Sequence, residues 1–453
     1  MTTRLRNGRA RPAASPRLEP PPEVVQIAAV LQGAGFETWC VGGAVRDALL
    51  GLPHLDWDLA TSATPAEVKR AFRRTVPVGE QFGTIGVLDR HGRLHEVTTF
   101  RRDVQTDGRH AVVEFGASLR EDLSRRDFTI NAIAYSPSER RLFDPFGGQE
   151  DLARGVVRAV GEARARMVED RLRALRAIRF AGRFDFRVEE GTWRAIVESA
   201  PHLHRLSRER VKQELEKTME QVRRPSRSME LWRSSGALAA LLPALDAQPA
   251  WARAAADCCA LPDDSRDEGR ARRRTLVRLA TLFCGLPHDV ARKELRELRF
   301  SNREGDWVAL LASAAGVLRP RVLAAARHSA KATDAELRRW AATAGRARLA
   351  DTLRVAVATL RAGGELTETE VAAAHALYRR AMRIAFGSPV EVADLAVDGE
   401  ELMSEAGVPR GPGLGVTLKR LLDAVLDDPS RNTRDVLLAL AREWQASAGE
   451  GRR

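Results

Sequence analysis

At 453 residues the chain is too long for a single hydrophobic core and divides, by ordinary domain sizes, into about three or four units. Its 44% hydrophobic and 30% charged content excludes a disordered protein, and we read no apolar run of membrane length and no signal-peptide core. Lys and Arg number 73 against 61 Asp and Glu, a formal charge of +12 carried mostly by arginine, so the surface attracts polyanions and a nucleic-acid partner is expected.

GC-rich codon usage accounts for part of the Arg and Ala excess. Cys40, Cys258, Cys259 and Cys284 show no C-x-x-C spacing, so no structural metal is expected, and a reducing, cytoplasmic location is. Residues 1–22 hold Arg4, Arg6, Arg9, Arg11 and Arg17 among Pro, Ala and Ser, and read as a disordered basic arm. The prolines there also disfavour the amphipathic helix of a transit peptide.

From Pro22 the pattern becomes α/β. A helix over 23–33 leads to a buried strand ending in Trp39, Cys40 and Val41. Gly42 and Gly43 then make a turn where the backbone can approach a ligand. A short helix from Ala44 to Leu50 points its free N–H groups at that turn, and a phosphate is the natural guest. Residues 55–60 return as a strand on which Asp56 and Asp58 share a face, because strand side chains alternate. Two adjacent carboxylates repel unless a cation lies between them. A hard ion such as Mg²⁺ meets that need, and a triphosphate over the glycines completes its coordination: the arrangement of a nucleotidyl transferase.

Thr64 and Pro65 open a further helix, and strands over 84–88 and 94–99 follow. Glu96, on the second of these, is placed beside Asp56 and Asp58 in a compact sheet, where a third carboxylate helps hold a second metal, although a lone acid on a strand is more often a surface residue. Residues 101–117 are polar and charged and read as a mobile loop. In RRDFTINAIAY, 125–135, Arg126 is within reach of a phosphate, and Asp127 accepts from a ribose hydroxyl or orients that arginine. The bare triplet also reads as a helix start capped by Asp127.

Residues 169–186, EDRLRALRAIRFAGRFDF, read as one helix with Leu172, Leu175 and Ile178 facing the core. Asp170, Arg173 and Arg176 then stand at spacing three on a polar stripe, with Arg179 one step further round. An acceptor beside a donor suits the exocyclic amino group and ring nitrogen that cytosine and adenine share, and it refuses uracil and guanine. Asp170 and Arg173 are therefore candidate base readers, leaving Arg176 and Arg179 for the triphosphate or the helix's acidic neighbours. A solvated basic helix presents the same stripe.

VGGAVRDALLG, DWDLAT, RRDFTINAIAY, FDPFGG, EDRLRALRAIRFAGRF and LSRERVKQELEK, in that order, resemble the motif series of class II tRNA nucleotidyltransferases and bacterial poly(A) polymerases, over residues 24–220. The resemblance implies an α+β, polymerase β-like nucleotidyltransferase head followed by an all-α neck, body and tail. It implies Asp56 and Asp58 as metal ligands and Gly43, Arg46, Arg126, Asp170, Arg173, Arg176 and Arg179 as nucleotide contacts; the turn and the triplet read above add Gly42 and Asp127. The expected division is a 1–22 arm, a 23–155 head, a 156–225 neck carrying the selecting helix, a 226–385 body and a 386–453 tail that binds tRNA.

Beyond Arg187 the period is helical, with breaks at Pro201, Pro243, 261–274, Pro320 and Gly363–Gly364. His288 and Asp289 read as a chance pair at a helix start rather than a phosphohydrolase remnant. The function implied is addition or repair of the 3′-terminal CCA of tRNA with CTP, ATP and Mg²⁺, releasing pyrophosphate. A poly(A) polymerase or A-adding enzyme shares the same head, and a catalytically idle RNA-binding descendant is the reading from another class. The loop TDGRHA, 106–111, favours CCA or A addition, and the intact Asp56, Asp58, Asp170 and Arg173 oppose an idle site.

Overall fold

The computed structural model describes residues 18–53, 56–106, 111–259, 267–327 and 332–450. Most of the basic arm, Leu55, the tip 107–110 of the expected loop and 261–266 of the expected break lie outside the described residues. The chain forms two compact units: the first runs to Leu206 and includes Ser234–Ala240, and the second takes Ser207–Arg233 and continues from Leu241.

In the first unit α1 (Pro22–Gly33) buries Val24, Ile27, Ala28 and Leu31, one stripe at helical spacing. There follow β1 (Thr38–Val41), α2 (Gly43–Leu49), β2 (Asp58–Thr61), α3 (Pro65–Ala71), β3 (Thr75–Gly79), β4 (Thr84–Leu88) and β5 (Leu94–Thr99). Thr64 and Glu67 close a reciprocal capping box at the start of α3, which fixes where that helix begins. The chain continues through β6 (Arg101–Thr106), β7 (Ala111–Phe115), α4 (Leu119–Ser124), β8 (Ala134–Ser136), β9 (Arg141–Phe143) and α5 (Gly148–Arg154). The main sheet has the order β3-β4-β5-β2-β1-β8-β9. All its neighbours are antiparallel except β2 and β5, which run parallel with Leu59 opposite Val97. Trp39, Val41, Ala60, Phe100, Leu119, Leu123 and Ala134 form a core against one side of it.

Two expectations are corrected here. Residues 101–117 are not an open loop: β6 and β7 pair antiparallel, Arg102 opposite Glu114. Both Nε and Nη2 of Arg102 donate to Glu114 Oε2, at 2.9 and 2.8 Å, so charges that remain exposed to solvent also join the strands. Nor is 169–186 a single helix. After β10 (Val156–Val157) come α6 (Ala163–Glu169), α7 (Leu172–Phe184) and β11 (Arg187–Val188), which pairs with β10. Asp170 lies in extended conformation between the two helices. Its carboxylate accepts the Leu172 N–H at 3.0 Å, and a short polar acceptor at that place ends one helix and starts the next. Leu172, Leu175 and Ile178 are buried as the period requires.

The second unit is helical among its described residues. Pro320 does not break a helix: Asn302–Arg327 runs through it, with Leu318 and Val322 buried on either side. Burial of that face outweighs the lost backbone hydrogen bond. The helix Glu268–Leu282 likewise starts inside the expected break, where the Asp267 side chain accepts from the Arg270 N–H. Asn302–Arg327 is also long and apolar enough to cross a membrane, contrary to the reading of the sequence; half of its most apolar window is buried within the protein. Near the C-terminus Val397, Leu402, Val408, Leu421, Val425 and Leu437 close a separate small core.

Candidate active site

The Val41–Asp58 pairing and the parallel β2–β5 register bring the glycine turn and the carboxylates to one place. Trp57 is buried at 3% exposure between an exposed Asp56 and a half-buried Asp58. Leu59 lies opposite Val97, so the preceding residues, Asp58 and Glu96, stand side by side. The Asp58 carboxyl is pushed up to about 6, first by burial, then by the charge of Glu96 and, less, of Asp56; Arg126 offsets part of this. Three acids therefore crowd one another, with Arg126 offsetting part of their charge.

Gly42 sits between that group and the basic side of the site. Its φ of 78° belongs to the left-handed region, and a Cβ there would lie 3.1 Å from Arg126 Nη1 and 3.8 Å from Asp58 Oδ2. Only glycine leaves the backbone open to a ligand at this point. The Arg126 Nη2 is 3.4 Å from Asp122 Oδ2, while its Nε is buried without a hydrogen-bond partner. Among the described residues no three His, Cys, Asp or Glu side chains form a preformed metal cage. The donor set is an open pair, Asp56 and Asp58, with Glu96 on the next strand. Such a set fits a hard cation whose remaining ligands come from phosphate oxygens and water.

The α7 side of the site is different. Asp127 accepts from Arg176 Nε at 2.8 Å through Oδ2, and from Asn131 Nδ2 and the Phe128 N–H, each at 2.8 Å, through Oδ1. Burial opposes ionisation, but Arg176 and these hydrogen bonds outweigh it and hold the carboxyl below the usual range. Arg46, expected at the nucleotide, is 4% exposed. It donates to Asp47 Oδ1 at 2.7 Å and to Asn131 Oδ1 at 2.6 Å, and lies over the Phe180 and Phe184 rings at 5.0 and 4.8 Å. Arg173 donates to Glu169 Oε2 at 2.8 Å and to the carbonyls of Arg166 and Arg125 at 3.1 and 2.9 Å, so it ties α6 and α7 to the end of α4. Arg179 does not share a solvated stripe: it is 4% exposed, 4.4 Å above the Phe180 ring.

Reading the sequence missed Asp47, Asn131 and Arg183, which knit this side together. Arg183 Nη2 donates to Asp47 Oδ2 at 3.0 Å. The one available signal was Asn131 itself, an amide in the apolar run FTINAIA, since a buried amide needs partners.

A mixed sheet carrying paired carboxylates beside a glycine turn, with basic side chains on the other flank, defines a nucleotidyltransferase. Family models agree along the chain: the poly(A) polymerase head domain matches residues 38–158, an RNA- and SrmB-binding site of polymerase A matches 185–248, and tRNA nucleotidyltransferase domain 2 matches 273–441. A CCA-adding enzyme of Leuconostoc mesenteroides is 49% identical over 191 residues, 42% of this chain and 47% of that one, so this match spans about half the length of that relative. The CCA-adding enzyme of Geobacillus stearothermophilus is 34% identical over 432 residues, covering 94% of this chain and 98% of that one. A solved CCA-adding enzyme of Bacillus stearothermophilus in complex with CTP superposes with a TM-score of 0.71 at 29% identity, covering 96% of this chain and 100% of that one. The chain belongs to the CCA-adding enzyme family.

Proposed function

We propose that this protein completes or repairs the 3′-terminal CCA of tRNA, adding C from CTP and A from ATP without a nucleic-acid template and releasing pyrophosphate. The observation that carries this reading is the meeting of Asp58, Glu96, Gly42 and Arg126 in a chain whose full-length relative is a CCA-adding enzyme. Asp56 and Asp58 would hold the divalent ion that such enzymes use, and Mg²⁺ suits an all-oxygen donor set. The chemistry such an ion supplies when bound is neutralisation of phosphate charge and activation of the attacking 3′ hydroxyl. Gly42 and Gly43 let the triphosphate approach the backbone, and Arg126 donates to its oxygens. Asp170 and Arg173 remain the proposed base readers; Arg173 must then give up one of its present acceptors, or donate through an N–H those acceptors leave over. The 386–453 tail is the proposed tRNA grip within the five-part division, and the cytoplasm the proposed location. CCA-adding relatives over the whole length favour this over a poly(A) polymerase.

Transcripts of one tRNA ending before CCA, after C and after CC, each offered single nucleotides and then sequenced at the 3′ end, test the reading. C, C and A in that order are expected. Runs of A on every transcript would replace it with a poly(A) polymerase.

A further inference from the structure

The hydrogen bonds on the α7 side form one unbroken chain: Arg183 to Asp47, Arg46 to Asp47 and to Asn131, Asn131 to Asp127, and Arg176 to Asp127. Arg176 and Arg183 are seven residues apart on α7, two turns along one face, and each is held by its own carboxylate. The two carboxylates belong to separate segments, Asp47 to α2 and Asp127 to the stretch before β8. Asn131 and Arg46 join them.

The middle of that chain needs a particular group. Asn131, 6% exposed, accepts from a guanidinium on one side and donates to a carboxylate on the other. A carboxylate in its place would face Asp127 as a like charge, a cation would face Arg46, and an apolar side chain would leave buried donors and acceptors unpaired. A carboxamide satisfies both ends at once. Phe180 reinforces the same junction, with Arg46 and Arg176 over its ring at 5.0 and 5.4 Å and Phe128 edge-on at 5.8 Å.

We propose that Asn131 is a positioning residue that locks α7, the proposed nucleotide-selecting helix, to α2, whose first residue is Gly43 of the phosphate-facing turn. Base choice on α7 and triphosphate placement at the glycines are thereby kept in one register. The proposal rests on the reading of the site given under Proposed function.

Asn131→Asp is isosteric but replaces the donor to Asp127 with a like charge; Asn131→Ala removes both bonds. In the full chain each is expected to weaken CTP and ATP binding by roughly tenfold or more and to narrow their preference over UTP and GTP, with tRNA affinity held to within about twofold. KM for nucleotide should rise more than kcat falls. Wild-type nucleotide affinities and ratios in the Asp variant, or an equal loss of nucleotide and tRNA binding, overturn the proposal. So does a fall in thermal midpoint alone, which marks Asn131 as merely structural. Hydrogen exchange without nucleotide reads the lock directly: in the variants, amides of α2 and α7 should lose protection together. A loss confined to residues 129–131 overturns the lock, whereas failure of the wild-type chain to extend tRNA overturns only the functional reading.

Discussion

The two flanks of the site treat their carboxylates in opposite ways. On the sheet side Asp58 is raised to about 6 by burial and by Glu96 and Asp56, which Arg126 offsets only in part. On the α7 side Asp127, more deeply buried, is held below the usual carboxylate range because Arg176 and two hydrogen-bond donors meet it. Burial alone therefore does not set the charge state of these acids; the balance of neighbouring charges and hydrogen bonds does. Under the proposed function the raised group is the one that a cation and a triphosphate would complete, and the lowered one would build the wall beside them.

The largest expected break of this contrast is on the sheet side. Asp56→Ala or Asp58→Ala should abolish nucleotide addition, by about a thousandfold or more, as should chelation of the divalent ion, while tRNA affinity in a filter-binding assay stays near wild type. Loss of tRNA binding and activity together would make the pair a folding element instead.

On the compensated side, Asp127→Ala should act through stability. It leaves Arg176 without its carboxylate, at a cost of about 2–3 kcal/mol in denaturant unfolding, less than for a fully buried pair because Arg176 keeps some solvent contact. A carboxyl lowered by folding contributes stability that is fully present above its unfolded range and lost as pH falls through its folded value. Wild type and Asp127→Ala should therefore converge in acid and diverge towards neutral pH; parallel curves would deny the pair its role.

A third change sharpens the division of labour along α7. Asp170→Ala should raise misincorporation of UTP or GTP relative to CTP and ATP by roughly tenfold to a hundredfold, the penalty of one unpaired polar group, in single-nucleotide extension of tRNA lacking CCA. If activity falls with the ratios unchanged, Asp170 serves only as the cap seen between α6 and α7. The smallest effect is expected from removing residues 1–22: unaltered thermal unfolding and a slight, salt-dependent loss of RNA affinity. A large drop in midpoint would show that the arm belongs to the core.

Local rules carried the sequence reading a long way. The helix-opening Thr64 and Pro65 and the strands at 84–88 and 94–99 depend on neighbours a few residues away, so period, caps and turn residues sufficed; the strand expected over 55–60 instead begins at Asp58 and leaves Asp56 outside it. Six short motifs then named the family, because chemistry constrains them in type and order. Tertiary structure decided what local rules do not contain. The 101–117 segment looked like a loop because it is rich in charge, yet Arg102 and Glu114, both solvent-exposed, meet across paired strands. Pro320 looked like a stop, but a buried face carries its helix onward. Glu96 stands beside Asp58 only because β2 and β5 run parallel in a set register, a pairing across 38 residues that no window reveals. The fate of each arginine was settled the same way. Residue type tells that a guanidinium needs an anion, but whether the anion is a bound triphosphate or Asp47, Asp127 or Glu169 depends on which distant carboxylates the fold delivers to it.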